Sequence, residues 1–176
     1  MTREDLERRL QKIRLFAFDV DGVLTDGRIT FTSSGEELKS FSARDGMGFR
    51  CLHESGLRSA IITARGSEAV QRRARELGIG DVVLMSSDKR QAFLELCRRH
   101  ELSTAEAAFM GDDLQDLGAL TEAGVSFSVA DCPEELRERV DIVTRTPAGS
   151  GAAREAIERV LKAQGRWESA VERFLQ

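Results

Sequence analysis

The sequence is poor in the residues that support several common kinds of chemistry. It holds two histidines, His53 and His100, so a histidine-based catalytic triad or a zinc site is hard to build. Its three cysteines, Cys51, Cys97 and Cys132, lie far apart with no metal-binding spacing, and we expect buried free thiols. Any reaction must therefore use carboxylates, lysine, threonine and arginine.

Long apolar runs and a basic excess are also missing. No stretch approaches the ~20 apolar residues of a membrane span, and the charged segment 1–14 lacks the apolar core of a signal peptide. We therefore expect a cytoplasmic protein. The net charge of −4 argues against a nucleic-acid binder, which usually carries a basic excess. The length of 176 residues suits one soluble domain, 1–176.

Apolar runs alternate with helical patterns, which is typical of an α/β fold with a mostly parallel, Rossmann-like sheet between helices. The predicted strands are 13–20, 58–63, 81–85, 107–111, 125–129 and 141–144. The predicted helices lie near 46–55, 67–77, 88–100, 113–123, 133–138 and 150–163. Segment 28–41 interrupts the alternation, and its strand-like flanks around a turn predict a β-hairpin. Segment 165–176 is an appended helix, a docked tail or a partly ordered terminus.

Two acidic clusters follow predicted strands. Asp19 and Asp21 end the first strand, and Asp112, Asp113 and Asp116 follow strand 107–111. Ligand sites in open α/β sheets lie at such strand ends. Close like charges repel, so the clusters predict a bound cation, and Mg²⁺ prefers oxygen ligands of this kind. The plainer interpretation is helix capping, but two clusters at two strand ends favour a metal site.

Two further polar residues follow strands and suit an anion. Thr63 ends strand 58–63 before a helix, where its hydroxyl and the exposed amides can hold a phosphate oxygen. Lys89 lies at the start of the next helix, after another strand end. Taken singly, each fits an ordinary helix cap or a solvated side chain. Beside the acidic clusters they predict a phosphate site.

The chain carries four short motifs in a fixed order. They are DVDGVLT at 19–25, ITAR at 62–65, DK at 88–89 and GDDLQD at 111–116. This set resembles the four motifs of the haloacid dehalogenase superfamily. The resemblance implies a phosphoric monoester hydrolase in which Asp19 is the covalent nucleophile and Asp21 the general acid and base. Thr63 and Lys89 would hold the phosphoryl oxygens.

The same resemblance implies a ligand set for the cation. Mg²⁺ would be bound by the Asp19 side chain, the main-chain carbonyl of Asp21 and the Asp112 side chain. Asp113 would support these ligands from behind. A carboxylate nucleophile and a bound cation fit phosphoryl transfer, since they divide hydrolysis into two easier steps and offset negative charge.

A narrower resemblance covers most of the chain. Stretches 19–50 and 144–165 are similar to the 3-deoxy-D-manno-octulosonate (KDO) 8-phosphate phosphatases, which lack a large cap domain. It implies hydrolysis of KDO 8-phosphate to KDO and phosphate, in lipopolysaccharide precursor synthesis. It also implies a homotetramer in which the hairpins pack centrally and a neighbouring subunit helps cover each site.

That family binds a sugar acid, so the resemblance also implies substrate contacts. They are Asp21, Ser42, Arg44, Asp45, Gly46, Arg50, Arg65, Arg73 and Lys89. Arginine suits bidentate recognition of a carboxylate, although Arg50 and Arg73 also fit ordinary solvated helix faces.

Three alternatives stay open. A relative acting on a nine-carbon sugar acid 9-phosphate, of the sialic acid type, would carry the same motifs. A non-enzymatic phospho-receiver also uses an aspartate pair, a threonine and a lysine. In a receiver the acidic pair follows the first strand and the phosphorylated aspartate comes later, whereas here Asp19 comes first and the aspartate pair 112–113 follows Lys89. An inactive homologue is the third, although the residues implied for catalysis are present.

Overall fold

Eight short strands form two sheets within residues 2–175, the part of the chain that the computed structural model describes. They are β1 (Leu15–Phe18), β2 (Thr30–Phe31), β3 (Glu37–Leu38), β4 (Arg58–Ile62), β5 (Asp81–Val83), β6 (Ala107–Met110), β7 (Val125–Ser128) and β8 (Ile142–Val143). Met1 and Gln176, which the predicted domain and tail include, lie outside the described residues.

The larger sheet has the strand order β5-β4-β1-β6-β7-β8, and all its pairs are parallel. β1, β6 and β7 are buried at every position, as continuous apolar strands of a doubly covered parallel sheet should be. The chain runs outward from β1 through β4 to β5, then returns to β6 on the other side of β1. This reversal makes the carboxyl end of β1 the switch point where such sheets bind ligands.

Helices cover both faces of this sheet. They are α1 (Arg3–Lys12), α2 (Ala43–Glu54), α3 (Glu68–Leu77), α4 (Lys89–Arg99), α5 (Leu117–Glu122), α6 (Glu134–Arg137), α7 (Ala152–Ala163) and α8 (Trp167–Glu172). α2 packs against α7, which also contacts α1 and α8, whereas α4 packs against α5. Right-handed crossovers place these two groups on opposite faces, because the chain changes direction along the sheet after β5.

The predicted α/β fold is confirmed, with small differences at element ends. All six predicted strands are present and slightly shorter. The predicted helix 113–123 begins with a 3-10 turn, Leu114–Asp116, before α5. The charged segment 1–14, for which no helix was predicted, forms α1, whose first turn is capped by Thr2 accepting from the Asp5 amide.

The predicted hairpin at 28–41 forms from β2 and β3, which pair antiparallel over only two residues each. Most of its apolar side chains face solvent: Phe31 is 59% exposed, and Ile29 and Leu38 are also exposed. Phe41 differs, because it packs against the core.

The tail begins as a docked helix. Trp167 and Ala170 of α8 are buried, and the Arg154 guanidinium of α7 lies 4.8 Å from the centre of the Trp167 ring. The three cysteines are free and buried, as predicted. Between residues 2 and 175, no helix combines the length and apolarity that crossing a bilayer requires.

Candidate active site

The register of the sheet gathers the predicted site at one edge. Phe18 pairs with Ile61 on one side and Met110 on the other, so the residues that follow these strands lie at the same edge of the sheet. The Asp19 amide donates to the Met110 carbonyl at 2.9 Å, which extends the ladder by one residue. Thr63 is the first residue after β4, and Asp112 is the second residue after β6. Both therefore lie next to Asp19.

A buried lysine lies between two carboxylates at this edge. The Lys89 Nζ atom is 2.9 Å from Asp19 Oδ1 and 2.6 Å from Asp116 Oδ1, and its side chain is 2% exposed. Lys89 is the first residue of α4, where Asp88 caps the helix by accepting from the Gln91 amide. The cap therefore sets the direction from which the ammonium group enters the site.

Asp112 closes the acidic cluster from the β6 side and contacts the turn after β1. Gly22 has φ of +89°, and a Cβ atom there would lie 1.9 Å from Asp112 Oδ2. Only glycine suits both this backbone conformation and this approach. The turn at Gly22 thus lets the two acidic clusters meet.

The carboxylates of Asp19, Asp112 and Asp116 form a group suited to a metal ion. One oxygen from each lies within 4.8 Å of the other two. Asp19 Oδ2 and Asp112 Oδ1 are buried and find no hydrogen-bond partner among residues 2–175. Buried anionic oxygens without donors fit a hard divalent cation such as Mg²⁺, which would supply the missing positive charge.

Burial and mutual repulsion raise the pKa values of two carboxyl groups in the cluster. Burial, together with the charge of Asp116 and despite Lys89, raises the pKa of Asp19 to about 6. Burial and the charges of Asp19 and Asp116 raise the pKa of Asp112 to about 8. Burial alone would lower the pKa of Lys89, but the two carboxylates outweigh it and the net pKa is raised. Lys89 therefore stays charged while the carboxylates compete for protons.

Asp116 supports the cluster from behind. Asp116 is fully buried, and its Oδ2 accepts from the amides of Asp112 at 3.0 Å and Asp113 at 3.3 Å. Asp113 is exposed and accepts from the Leu114 amide at 2.7 Å, at the start of the 3-10 turn. The supporting role of Asp113 stays a prediction, and the contacts of Asp116 suit the same role.

Two hairpin residues that sequence reasoning missed reach the same site. Lys39 donates to Asp21 Oδ1, and its Nζ lies 3.4 Å from Glu37 Oε1. Arg65 donates to Glu37 Oε1 at 2.9 Å, and its Nε is 3.8 Å from Asp21 Oδ2. Burial raises the pKa of Glu37, but Arg65 and Lys39 outweigh it and the net pKa is lowered. The hairpin is therefore tied to the site of its own chain by four charges.

Thr63 lies where a phosphate oxygen was predicted to bind. It is buried at the end of β4, and its Oγ1 accepts from the Arg65 amide at 3.3 Å. The main-chain amide of Ser86 donates to the Thr63 carbonyl at 3.0 Å, which fixes the loop against the next strand end. The hydroxyl still has its proton to donate.

Three predicted substrate residues form a second group beside α2. The Arg73 guanidinium donates to the Ser42 carbonyl at 3.1 Å and lies over the Phe41 ring. A Cβ atom at Gly46 would be 3.0 Å from Arg73 Nη2, so glycine leaves room for this side chain. Arg73 is thereby held against the start of α2.

The other three predicted substrate residues, Arg44, Asp45 and Arg50, make contacts of other kinds, although the charge of Arg73 also acts on Asp45. Asp45 is buried, and its Oδ1 accepts from the Arg154 amide at 2.8 Å, so it caps α7. Burial raises the pKa of Asp45 to about 6. Arg50 is exposed, paired with Glu54 and placed over the Phe174 ring of the tail.

Arg44, the third of these residues, is exposed and lies against Gly151 at the start of α7. The substrate roles of Arg44, Asp45 and Arg50 stay predictions without local support in a single chain.

Comparison with known proteins identifies the family. Residues 75–155 match the profile of haloacid dehalogenase-like hydrolases. The chain is 41% identical over 166 residues to the KDO 8-phosphate phosphatase of Escherichia coli strain K12, covering 94% of this chain and 88% of that protein. This chain belongs to the KDO 8-phosphate phosphatase family of haloacid dehalogenase-like hydrolases. The predicted fold, family and enzyme class, a phosphoric monoester hydrolase, are confirmed.

Solved structures of the family agree. The KDO 8-phosphate phosphatase of Moraxella catarrhalis, in complex with magnesium, phosphate and KDO, is 40% identical with a TM-score of 0.95 and covers 98% of this chain and 99% of its own. The cobalt-bound enzyme of Haemophilus influenzae is 36% identical with a TM-score of 0.91, covering 96% and 99%. Both proteins hold a divalent cation, in line with the acidic cluster of this chain.

Magnesium should stabilise this protein more at pH 8 than at pH 6. The raised pKa values of Asp19 and Asp112 mean that the metal-free folded chain holds more protons than the unfolded chain between about pH 4 and pH 8. Its stability therefore falls as pH rises through that window. Mg²⁺ must displace the protons on Asp112 and Asp19, so its apparent affinity should fall about 100-fold from pH 8 to pH 6.

Thermal melts in chelator and in excess Mg²⁺ at both pH values measure this effect, since ligand binding raises Tm by mass action. Asp112→Asn should remove most of the magnesium shift. An equal magnesium shift at both pH values, or an undiminished shift in Asp112→Asn, would contradict the assignment.

Proposed function

We propose that this chain hydrolyses KDO 8-phosphate to KDO and inorganic phosphate with Mg²⁺ as cofactor. The observation that carries the proposal is the buried Asp19–Lys89 pair beside Asp112 at the carboxyl end of β1, in a chain that matches the KDO-bound M. catarrhalis enzyme throughout. Catalysis needs a nucleophile, a cationic environment for the phosphoryl group and a proton donor, and this edge of the sheet offers all three.

In the first half-reaction, a carboxylate oxygen of Asp19 forms a bond to phosphorus as the bond to the sugar oxygen breaks. Asp21 gives its proton to that leaving oxygen, so the sugar departs as an alcohol and Asp19 carries an acyl phosphate. Lys89 and the Thr63 hydroxyl hold the phosphoryl oxygens. A divalent cation at Asp19 and Asp112 offsets the negative charge of the phosphoryl group.

In the second half-reaction, Asp21 is a carboxylate and takes a proton from water. The water oxygen bonds to phosphorus, the Asp19–phosphorus bond breaks, and inorganic phosphate leaves. Asp21 has regained its proton, which makes the cycle complete. Lys89 stays charged throughout, because Asp116 and either the Asp19 carboxylate or the anionic phosphoryl group lie beside it in a buried site.

The sugar end of the substrate carries a carboxylate, which arginine recognises with two parallel hydrogen bonds. Arg65 follows the phosphate loop, and Arg73 is held beside Ser42 and Gly46. We assign the carboxylate to one of these arginines, with Arg73 acting on the site of its own or of a neighbouring chain.

The alternative substrate is a nine-carbon sugar acid 9-phosphate. Phosphate release measured with Mg²⁺ across KDO 8-phosphate, a nine-carbon 9-phosphate and simple hexose phosphates separates the two. We expect kcat/KM for KDO 8-phosphate to exceed every competitor by about tenfold or more. A preference for the nine-carbon compound would replace the substrate, and no release from any phosphate would favour the receiver or inactive interpretation.

We further propose a homotetramer with centrally packed hairpins. The exposed side chains of Ile29, Phe31 and Leu38 form an apolar face that is costly for a monomer. The hairpin's own strands are two residues long, too short for it to form a lid domain by itself. A neighbouring chain would complete an enclosure that separates the reacting groups from bulk solvent and still admits the hydrolytic water.

Phe31→Glu should break this assembly and raise KM roughly tenfold or more, with every catalytic residue still present. Charge on the apolar face would have to be desolvated in the tetramer. Light scattering at micromolar concentration reports the assembly, and steady-state kinetics report KM. Leu175→Glu, a similar change at an exposed apolar residue of the tail, serves as the control and should alter neither quantity. A fully active wild-type monomer would rule the tetramer out.

The proposed setting is the cytoplasm, where a sugar acid phosphate would be processed before lipopolysaccharide assembly. Three buried free thiols suit a reducing compartment. The partners expected are the sugar phosphate and further copies of this chain.

A further inference from the structure

The hairpin supplies a charged side chain to the catalytic centre of its own chain. Lys39 follows β3, next to exposed Leu38, yet its own side chain is only 1% exposed. A lysine is almost never buried this fully unless it is paired. Its two partners are Asp21 and Glu37, and the closer one is Asp21, whose Oδ1 accepts its hydrogen bond.

The two oxygens of Asp21 therefore have different surroundings. Oδ1 is held by Lys39, whereas Oδ2 is buried and finds no hydrogen-bond partner in the described chain. The Arg65 Nε atom, 3.8 Å from Oδ2, is also buried and without a hydrogen-bond partner. Lys39 holds one oxygen, and the other accepts no hydrogen bond from residues 2–175.

We propose that Lys39 is a positioning residue that holds Asp21 by Oδ1 and so aims Oδ2 at the leaving-group oxygen of the substrate. This inference rests on the proposed role of Asp21 as general acid. An aspartate side chain rotates about two bonds, and a misplacement of about 1 Å in a catalytic group can lower a rate about 100-fold. Within residues 2–175, Lys39 donates the one direct hydrogen bond to this side chain, and the nearest other cation, Arg65, is 3.8 Å from Oδ2.

Glu37 and Arg65 complete the arrangement by holding Lys39 in turn. Glu37 lies 3.4 Å from Lys39 Nζ and accepts from Arg65 at 2.9 Å. Strand periodicity places Glu37 and Lys39 on one face of the hairpin and Leu38 on the other. The hairpin thus carries apolar side chains on its outer face and a catalytic support on its inner face.

The test uses substituted phenyl phosphates of nearly equal size, with leaving groups that need different amounts of protonation. The p-nitrophenolate ion leaves without a proton, whereas phenol and p-cresol need one. The value of kcat/KM covers only the steps up to departure of the leaving group, so it isolates the first half-reaction. None of these esters carries sugar hydroxyls for Lys39 to bind.

In Lys39→Met we expect kcat/KM for p-nitrophenyl phosphate to stay within about threefold of wild type and that for phenyl and p-cresyl phosphate to fall about tenfold or more. Lys39→Arg should recover part of the loss. In an Asp21→Asn background, adding Lys39→Met should change kcat/KM less than about twofold, since the positioned group is gone. Lys12→Met, an exposed site at the far end of the sheet, is the control.

Retained p-nitrophenyl phosphate hydrolysis shows that the variant folds. An equal loss with all three esters, or no loss with any, would overturn the positioning role while leaving the Asp19 mechanism intact. Failure of the proposed function itself would appear separately, as activity surviving in Asp19→Asn.

Discussion

Asp19→Asn is expected to abolish phosphate release while the fold survives. An amide cannot form an acyl phosphate, so kcat should fall by at least ~10⁴-fold, the scale on which enzymes respond to loss of a reacting group. Its shape is nearly that of the carboxylate. In the metal-free protein the raised pKa of Asp19 means that its ionised form weakens folding above about pH 6. Asp19→Asn should therefore melt at the same temperature as wild type, or higher, at pH 7.5 in chelator.

Phosphate release under single-turnover conditions and melting in chelator measure the two halves of this expectation. The matched control is Asp113→Asn, because Asp113 is exposed and lies outside the buried cluster. It should lower kcat far less than Asp19→Asn does. Near-normal turnover in Asp19→Asn would refute covalent catalysis by this residue.

Lys89→Met is expected to remove activity as well, but with the opposite effect on stability. Loss of the ammonium group that pairs with both Asp19 and Asp116 should lower kcat by ~10³-fold. It also leaves buried carboxylates unpaired, which costs about 3–5 kcal/mol of unfolding free energy at neutral pH. The cost should shrink as pH falls, because Asp19, whose pKa is raised to about 6, then takes up a proton.

Urea unfolding in chelator at pH 7.5 and pH 5.5 measures this difference, and exposed Lys12→Met should stay within ~0.5 kcal/mol of wild type. Asp19→Asn and Lys89→Met should thus both be inactive, yet only Lys89→Met should lose stability. This difference is expected where buried carboxylates repel one another and a cation offsets their charge. Lys89→Met as stable as the Lys12→Met control would contradict the buried charge cluster.

Residues next to the sheet were predictable because a parallel sheet converts sequence position into spatial position. Asp19, Thr63 and Asp112 each come directly after a buried strand, and the register of β1 with β4 and β6 brings these ends together. Lys89 was predictable for a related reason, since a capped helix starts at the next strand end. Short-range patterns were sufficient for this half of the site.

Contacts between distant segments could not be predicted in the same way. Asp45 was predicted to contact the substrate. Its carboxylate also accepts a hydrogen bond from the Arg154 amide of α7, which lies 109 positions later in the sequence. Nothing near Asp45 in the sequence indicates that α7 begins beside it. Asp113 and Asp116 were also hard to separate, because a 3-10 turn, not a regular helix, directs Asp116 back under the cluster.

Lys39 and Glu37 were missed although the sequence holds a signal for them. They flank Leu38 in a predicted strand, so charged and apolar residues alternate with the period of a half-buried strand. In a hairpin exposed on both sides, charged and apolar residues should be mixed on each face. Here the charged residues lie on one face and the apolar residue on the other. The alternation indicated an inner face with a polar partner, and the partner is Asp21.

The most direct test of the account is the mass of the enzyme during turnover. Asp21→Asn should form the phosphorylated enzyme with p-nitrophenyl phosphate and hydrolyse it slowly, because the base for the second half-reaction is gone. After an acid quench, mass spectrometry should find one added phosphoryl group, located on Asp19, and none in the Asp19→Asn, Asp21→Asn double variant. A phosphoryl group on another residue, or release of phosphate with no phosphorylated enzyme at any time point, would contradict the covalent mechanism.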